Sequence, residues 1–153
     1  MKKTIIVAVV VIVLGIAYSL ISPFFIDKRV SEEFNITLES EGVQPVLALR
    51  GSFTGFDRIH TGSGNVNVIQ VGDKYIIRFE ENFDVANGPD LFVGLGKDGE
   101  YIKGTEIGKL KGNIGSQNYE VPENINLEDY NEVWIWCRAF SVGFAKAELN
   151  PSI

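Results

Sequence analysis

The chain lacks a second cysteine and a second histidine: among 153 residues it has one of each, Cys137 and His60. A structural intramolecular disulfide is therefore excluded. So are, within one chain, a four-ligand zinc site and a blue-copper centre with two histidines and a cysteine. The haem-attachment motif C-x-x-C-H is also missing, so a haem would have to be held non-covalently. Basic residues are too few for a phosphate-binding face: 14 Lys and Arg stand against 20 Asp and Glu, a net charge of -6, which argues against a nucleic-acid partner. No Gly-Lys-Ser/Thr phosphate loop, internal repeat or low-complexity tract is present.

What the chain does have begins at its N-terminus. "MKK" leads into an uncharged, almost wholly apolar run from Thr4 to Ile26, which as a helix would reach roughly 35 Å, enough to cross a bilayer. "AYS" at Ala17–Ser19 would pass as a cleavage site, but the run stays apolar beyond it through Leu20, Ile21, Phe24, Phe25 and Ile26. A retained anchor is therefore favoured over a cleaved signal peptide. Lys2 and Lys3 give a moderate bias toward a cytoplasmic N-terminus, countered in part by Lys28 and Arg29. An anchor so near the start leaves one large domain to be carried across, so the expectation is a single-pass membrane protein with that domain extracytoplasmic. Residues 1–26 are the anchor, 27–46 a charged juxtamembrane spacer and 47–150 the domain. "NIT" at Asn35–Thr37 fits the glycosylation pattern.

From Leu47 onward, short apolar runs alternate with Gly, Asn and Asp clusters, the pattern of strands and turns. "NVNVIQV" alternates strictly; "KYIIRFE" puts Tyr75, Ile77 and Phe79 on one face; "DLFVGLG" does the same for Leu91, Val93 and Leu95. Sixteen glycines, most of them in this region, disfavour helices. The fold class expected is all-β, an antiparallel β-sandwich or partly closed barrel, with one N-terminal transmembrane helix.

Several motifs have ordinary structural explanations. "GLGKDG", Gly94–Gly99, satisfies G-x-G-x-x-G, but no helical pattern follows it, so Asp98-Gly99 is read as a hairpin turn. "TGSG" at Thr61–Gly64 is likewise read as a turn. Asp84, Asn87 and Asp90 carry oxygens suited to calcium, yet their spacing matches no calcium loop, and a solvated turn is expected.

The stretch "NEVWIWCRAF", Asn131–Phe140, carries the lone cysteine. In a strand, Val133, Ile135, Cys137 and Ala139 share one face and Trp134, Trp136, Arg138 and Phe140 the other. Cys137 then projects among small and aliphatic neighbours, away from Arg138. Four roles stay open for it: a buried core thiol, an intermolecular disulfide, a reactive thiol or a ligand. Haem needs only one or two axial ligands, which Cys137 and His60 would supply. As a Cys–His dyad the pair lacks a visible third orienting group, which disfavours a hydrolase.

Four blocks, "GSFTGFDRIHTGSGNVNV", "RFEENFDVANGPDLFVGL", "IGKLKGNIGSQNYEVP" and "YNEVWIWCRAFSVGFAKAEL", resemble in this order the DM-thirteen domain, the DOMON-associated electron-transfer domain also found in the animal protein Skeletor. The resemblance spans Leu47 to Leu149 and leaves out the apolar run and the spacer. It implies an all-β extracytoplasmic domain with a proposed redox role, whose cysteine acts as a bare thiol or as a ligand to a prosthetic group such as haem. That cysteine is Cys137; the family's Gly-Pro-Asp turn is Gly88, Pro89 and Asp90, and the histidine of the first block is His60. Family members often adjoin a DOMON domain, which this chain lacks, so the redox partner is expected to be a separate protein. The rival expectation is a surface binding or adhesion module with Cys137 as a structural core residue.

Overall fold

The computed structural model describes residues 2–22, 26–34 and 44–152; Asn35 falls outside them. Helix α1, Lys2–Ile21, is long and apolar enough to cross a membrane, and no part of the domain covers its span. It has no polar face, as expected of a helix surrounded by lipid. By length and composition it also meets the requirements of a signal segment.

The domain is built mostly of antiparallel strands, with a short 3-10 helix at Leu127–Asp129. In chain order the strands are β1 (Val46–Gly55), β2 (Gly62–Ser63), β3 (Asn65–Val71), β4 (Lys74–Phe79), β5 (Asp84–Val85), β6 (Leu91–Lys97), β7 (Glu100–Tyr101), β8 (Gly108–Lys109), β9 (Gln117–Glu120), β10 (Glu132–Cys137), β11 (Val142–Glu148) and β12 (Asn150–Pro151). Ten of them form one sheet in the order β7-β6-β10-β11-β1-β3-β4-β9, with β8 on β6 and β12 on β1; β2 and β5 pair separately. The sheet curls into a half-barrel, so the sandwich-or-open-barrel expectation resolves toward the open barrel.

Irregularities accompany the curl, among them a register shift of β1 against β3 between Leu47 and Leu49. Strand β1 changes partner along its length: Leu49 and Arg50 pair with β12, whereas Phe53 to Gly55 pair with β11. Gly51 lies at the changeover, where a Cβ would run into the carbonyl of Glu148. In β11 the register slips between Ile135↔Ala145 and Trp136↔Gly143, leaving Phe144 as an extra residue. Bulges of this kind bend a strand and increase its twist. Here Phe144 and Ala145, adjacent in sequence, both join the core.

Alternation fills the interior as expected. Val66, Val68, Ile77, Phe79, Val93, Leu95, Val133, Ile135 and Cys137 are all completely buried. Phe53, Phe79 and Phe83 cluster at the centre, with ring centroids 4.6–5.1 Å apart. Asp98 and Gly99 have φ of 53° and 92° and connect β6 to β7 as a two-residue hairpin, the role expected of "GLGKDG". The "TGSG" segment differs from its expected turn, because Gly62 and Ser63 form β2 against β5.

Part of the segment read as a spacer lies against the domain. Residues 27–34 form a strap beside the loop that leads into β9. The Val30 N–H donates to the Ile114 carbonyl (2.9 Å) and the Glu32 N–H to that of Ser116 (3.0 Å). Arg29 and Ile114 make a parallel bridge. Glu32 accepts two bonds of 2.8 Å from Lys111 Nζ and one of 2.9 Å from the Asn118 N–H. Gly112 and Gly115 permit this approach, since a Cβ on either would meet the strap's backbone. Close to where the strap begins, Asp27 Oδ1 accepts from Asn87 Nδ2 (2.8 Å) and Asn113 Nδ2 (2.9 Å).

Candidate functional site

Strand β10 is central, paired with β6 on one side and β11 on the other. Cys137 is its last residue, flanked in the ladder by Leu91 of β6 and Val142 of β11. The side chain is fully buried within the apolar core. The chain then leaves the sheet: Arg138–Ser141 make the turn into β11, with Ser141 at φ 52°. Ala139 and Phe140 therefore sit in a turn, and the alternation expected through Phe140 stops at Cys137.

The Gly-Pro-Asp turn closes this end of the sheet, here called the hairpin end. Asp90 accepts the Arg138 N–H on its carbonyl (3.0 Å) and Arg138 Nε on its carboxylate (3.0 Å), with Lys109 Nζ at 3.8 Å. The Arg138 guanidinium also lies 4.2 Å above the centroid of the Phe92 ring. Gly88 is pressed against Phe144 and Leu91, leaving no room for a Cβ. Asn87 and Asp90 are thus engaged in holding the strap and the turn.

His60 lies in the loop after β1. Asp57 fixes that loop, accepting the backbone N–H groups of Ile59 and His60 (both 2.7 Å) and facing His60 Nδ1 at 2.8 Å. Hydrogen bonding from the His60 backbone, then from its ring, and from the Ile59 N–H holds the Asp57 carboxyl down at about 2. The imidazole packs edge-on against Phe144, centroids 4.7 Å apart. No hydrogen bond, ion pair or ring contact joins His60 to Cys137 among the described residues. The three cavities described, of about 720, 470 and 280 Å³, are lined by neither residue. A haem ligated by Cys137 needs an adjoining space, since ligand pockets typically occupy some 300–1,000 Å³. Cys137 lies in the core at the end of β10, and His60 lies in the 56–61 loop against Phe144.

The other face of β10 carries a cluster built on the two tryptophans that share it. Trp136 stacks on Tyr101 with centroids 4.3 Å apart and planes 5° from parallel. Trp134 lies beside both and against Phe56. The Tyr101 hydroxyl donates to Glu106 Oε1 at 2.8 Å; burial, reinforced by that carboxylate, pushes its pKa well above the ordinary phenol value. Beneath the indoles, buried Glu132 accepts from Trp134 Nε1 (2.9 Å), the Gly99 N–H (3.1 Å) and Lys146 Nζ (2.5 Å). The two tryptophans are visible in the sequence as one face of the strand. Tyr101, Glu106 and Lys146 join them only through the pairing of β6, β7, β10 and β11.

The family described as "Electron transfer DM13" matches this chain across residues 53–149, from Phe53 in β1 to Leu149 beyond β11. The chain belongs to that family. The match covers the end of β1, all strands from β2 to β11, the Gly-Pro-Asp turn, His60 and Cys137, and leaves out α1, the strap, most of β1 and β12. Membership points to a redox-related role for the domain. Comparison with curated proteins and with solved structures finds no match.

Proposed function

We propose that this DM13 chain is a membrane-anchored, extracytoplasmic electron-transfer domain whose redox chemistry centres on Cys137. The observation that supports this most directly is the position of the family's cysteine at the very end of β10, behind a turn held shut chiefly by Asp90. In the closed state the thiol is sealed, and a sealed thiol is inert. Chemistry at Cys137 therefore requires the Arg138–Ser141 turn to lift, a local opening of the kind that hairpin tips undergo well below the global unfolding free energy.

Once exposed and deprotonated, the Cys137 thiolate attacks one sulfur of a partner disulfide. The new S–S bond forms as the old one breaks, and the second partner sulfur leaves as thiolate. With no second cysteine in this chain, a partner thiol must resolve the mixed disulfide. Such a partner is a separate membrane or surface protein.

The complete burial of Cys137 favours a second reading, a binding module whose cysteine only fills the core. Native-state labelling with a disulfide reagent separates the two. The electron-transfer reading expects Cys137 to react in the folded protein, and faster in Asp90→Ala, which loses the carboxylate's bond to Arg138 in the turn. A thiol that reacts only on global unfolding, in both proteins, leaves the binding module. The same preparations, recorded with and without added haem, test ligation directly: a Soret band lost in Cys137→Ser would make Cys137 a haem ligand, the other form of the redox reading.

A further inference from the structure

Outside α1, six large apolar side chains are strongly exposed among the described residues: Ile26, Val46, Leu47, Phe56, Ile59 and Phe140. Four of these six gather at the hairpin end. Phe56 and Ile59 belong to the loop after β1, and the pairing Gly55↔Ala145 sets the end of β1 beside the start of β11. Phe140 is in the β10–β11 turn at the same end. Ile26 immediately precedes Asp27, which is tied to Asn87 of the loop entering β6. The start of β6 lies there too, because Leu91 pairs with Cys137. Val46 and Leu47, at the opposite end of β1, are the two exceptions.

The covalent connection says what these side chains face. Helix α1 ends at Ile21, and the chain is already bonded to the domain at Asp27. Six residue steps separate them, roughly 20 Å at full extension. If α1 spans a bilayer, the hairpin end cannot lie far from the surface of that bilayer. Ile59 (77% exposed) and Phe140 (65% exposed) project from tight turns, and Arg58, next to Ile59, is exposed as well. Apolar tips beside a cation are the composition that settles at the boundary between headgroups and acyl chains.

We infer that Phe56, Ile59 and Phe140 enter the lipid interface of the bilayer that α1 spans, so that the domain docks on the membrane by its hairpin end and its partner there is lipid. This rests on α1 being a retained anchor. The turn over Cys137 then lies against the membrane, and its opening is coupled to how firmly the domain is seated.

The test uses the full chain in phosphatidylcholine nanodiscs, with a nitroxide attached to Ile59→Cys, Phe140→Cys, Leu47→Cys or Ile12→Cys, and the chain without an added cysteine as the background. Power-saturation spectroscopy compares collisions with oxygen, which concentrates in lipid, and with a water-soluble nickel chelate. Positions 59 and 140 are expected to favour oxygen several-fold over position 47, and position 12 to favour it most. Labels at 59 and 140 as open to nickel as position 47, with position 12 in lipid, overturn the docking and leave the anchor intact. Labels at 59 and 140 shielded from both reagents overturn it in favour of a protein contact. Position 12 in water removes the anchor and the docking together. The side chains replaced at 47, 59 and 140 are outside the core, so these variants keep the fold.

Discussion

Glu32→Ala is expected to loosen the strap without unfolding the sheet. Glu32 makes the strap's charged contact with the domain: Lys111 Nζ donates to both carboxylate oxygens and the Asn118 N–H to one of them. A hydrogen bond to a charged group contributes about 1.5–3 kcal/mol when sheltered. The Glu32 and Lys111 side chains are 31% and 41% exposed, so solvent screening lowers this toward the 0.2–1 kcal/mol or so of open ion pairs. A loss of about 1–2 kcal/mol follows, a factor of roughly 5–30 in the docking equilibrium. The backbone bonds of Val30 and Glu32 remain, so the strap stays docked most of the time. Hydrogen exchange at those two amides, corrected for intrinsic rate, reads the opening directly. Glu120→Ala is the control, since its bridge to Lys74 joins side chains more than half exposed; its effect on the strap should stay within about 0.5 kcal/mol. Unchanged protection of Val30 and Glu32 in Glu32→Ala would refute the reasoning and leave the attachment to the backbone bonds and the Asp27 contacts.

Two further outcomes follow from single contacts. Gly96→Ala places a methyl on the Trp134 indole nitrogen and forces the ring away from Glu132; overpacking of this kind costs about 1–3 kcal/mol, read as a lowered urea midpoint, and an unchanged midpoint would mean the indole shifts freely. The Asp57 carboxyl is depressed from 3.8 to about 2 in the folded protein. The order it gives the 56–61 loop is therefore fully present above the free carboxyl value and lost as pH falls through about 2. The Ile59 and His60 amide resonances should follow that transition; a midpoint at 3.8 would show that the loop does not depend on Asp57.

The strands and their inward faces were legible in the sequence because a two-residue period is local. Val66 and Val68, Ile77 and Phe79, and Leu91, Val93 and Leu95 needed only their immediate neighbours to declare which side is apolar. Cys137 was placed on the correct face of β10 by the same rule, and Asp98-Gly99 marked its turn because both residues need positive φ. The apolar run of α1 and the four family blocks were equally plain. The choice between a closed sandwich and an open, curled sheet was not legible. The close approach at Gly51 and the bulge at Phe144 exist only once β1, β10, β11 and β12 are paired.

The strap was missed for a related reason. Asp27, Glu32, Lys111 and Asn113 look like solvated polar residues until segments more than 75 positions apart come together. Local pattern was enough to give an antiparallel β domain resembling the DM13 family, an apolar leading helix, and Cys137 on the strand face shared with Val133 and Ile135. The tertiary structure alone decided that His60 packs on Phe144, that Tyr101 and Glu106 gather behind the tryptophans, and that the strap ties the chain to the end of the sheet bearing the apolar turns. Periodicity specifies a face within a strand, whereas long-range hydrogen bonds between polar groups specify which strands, loops and ends share a place.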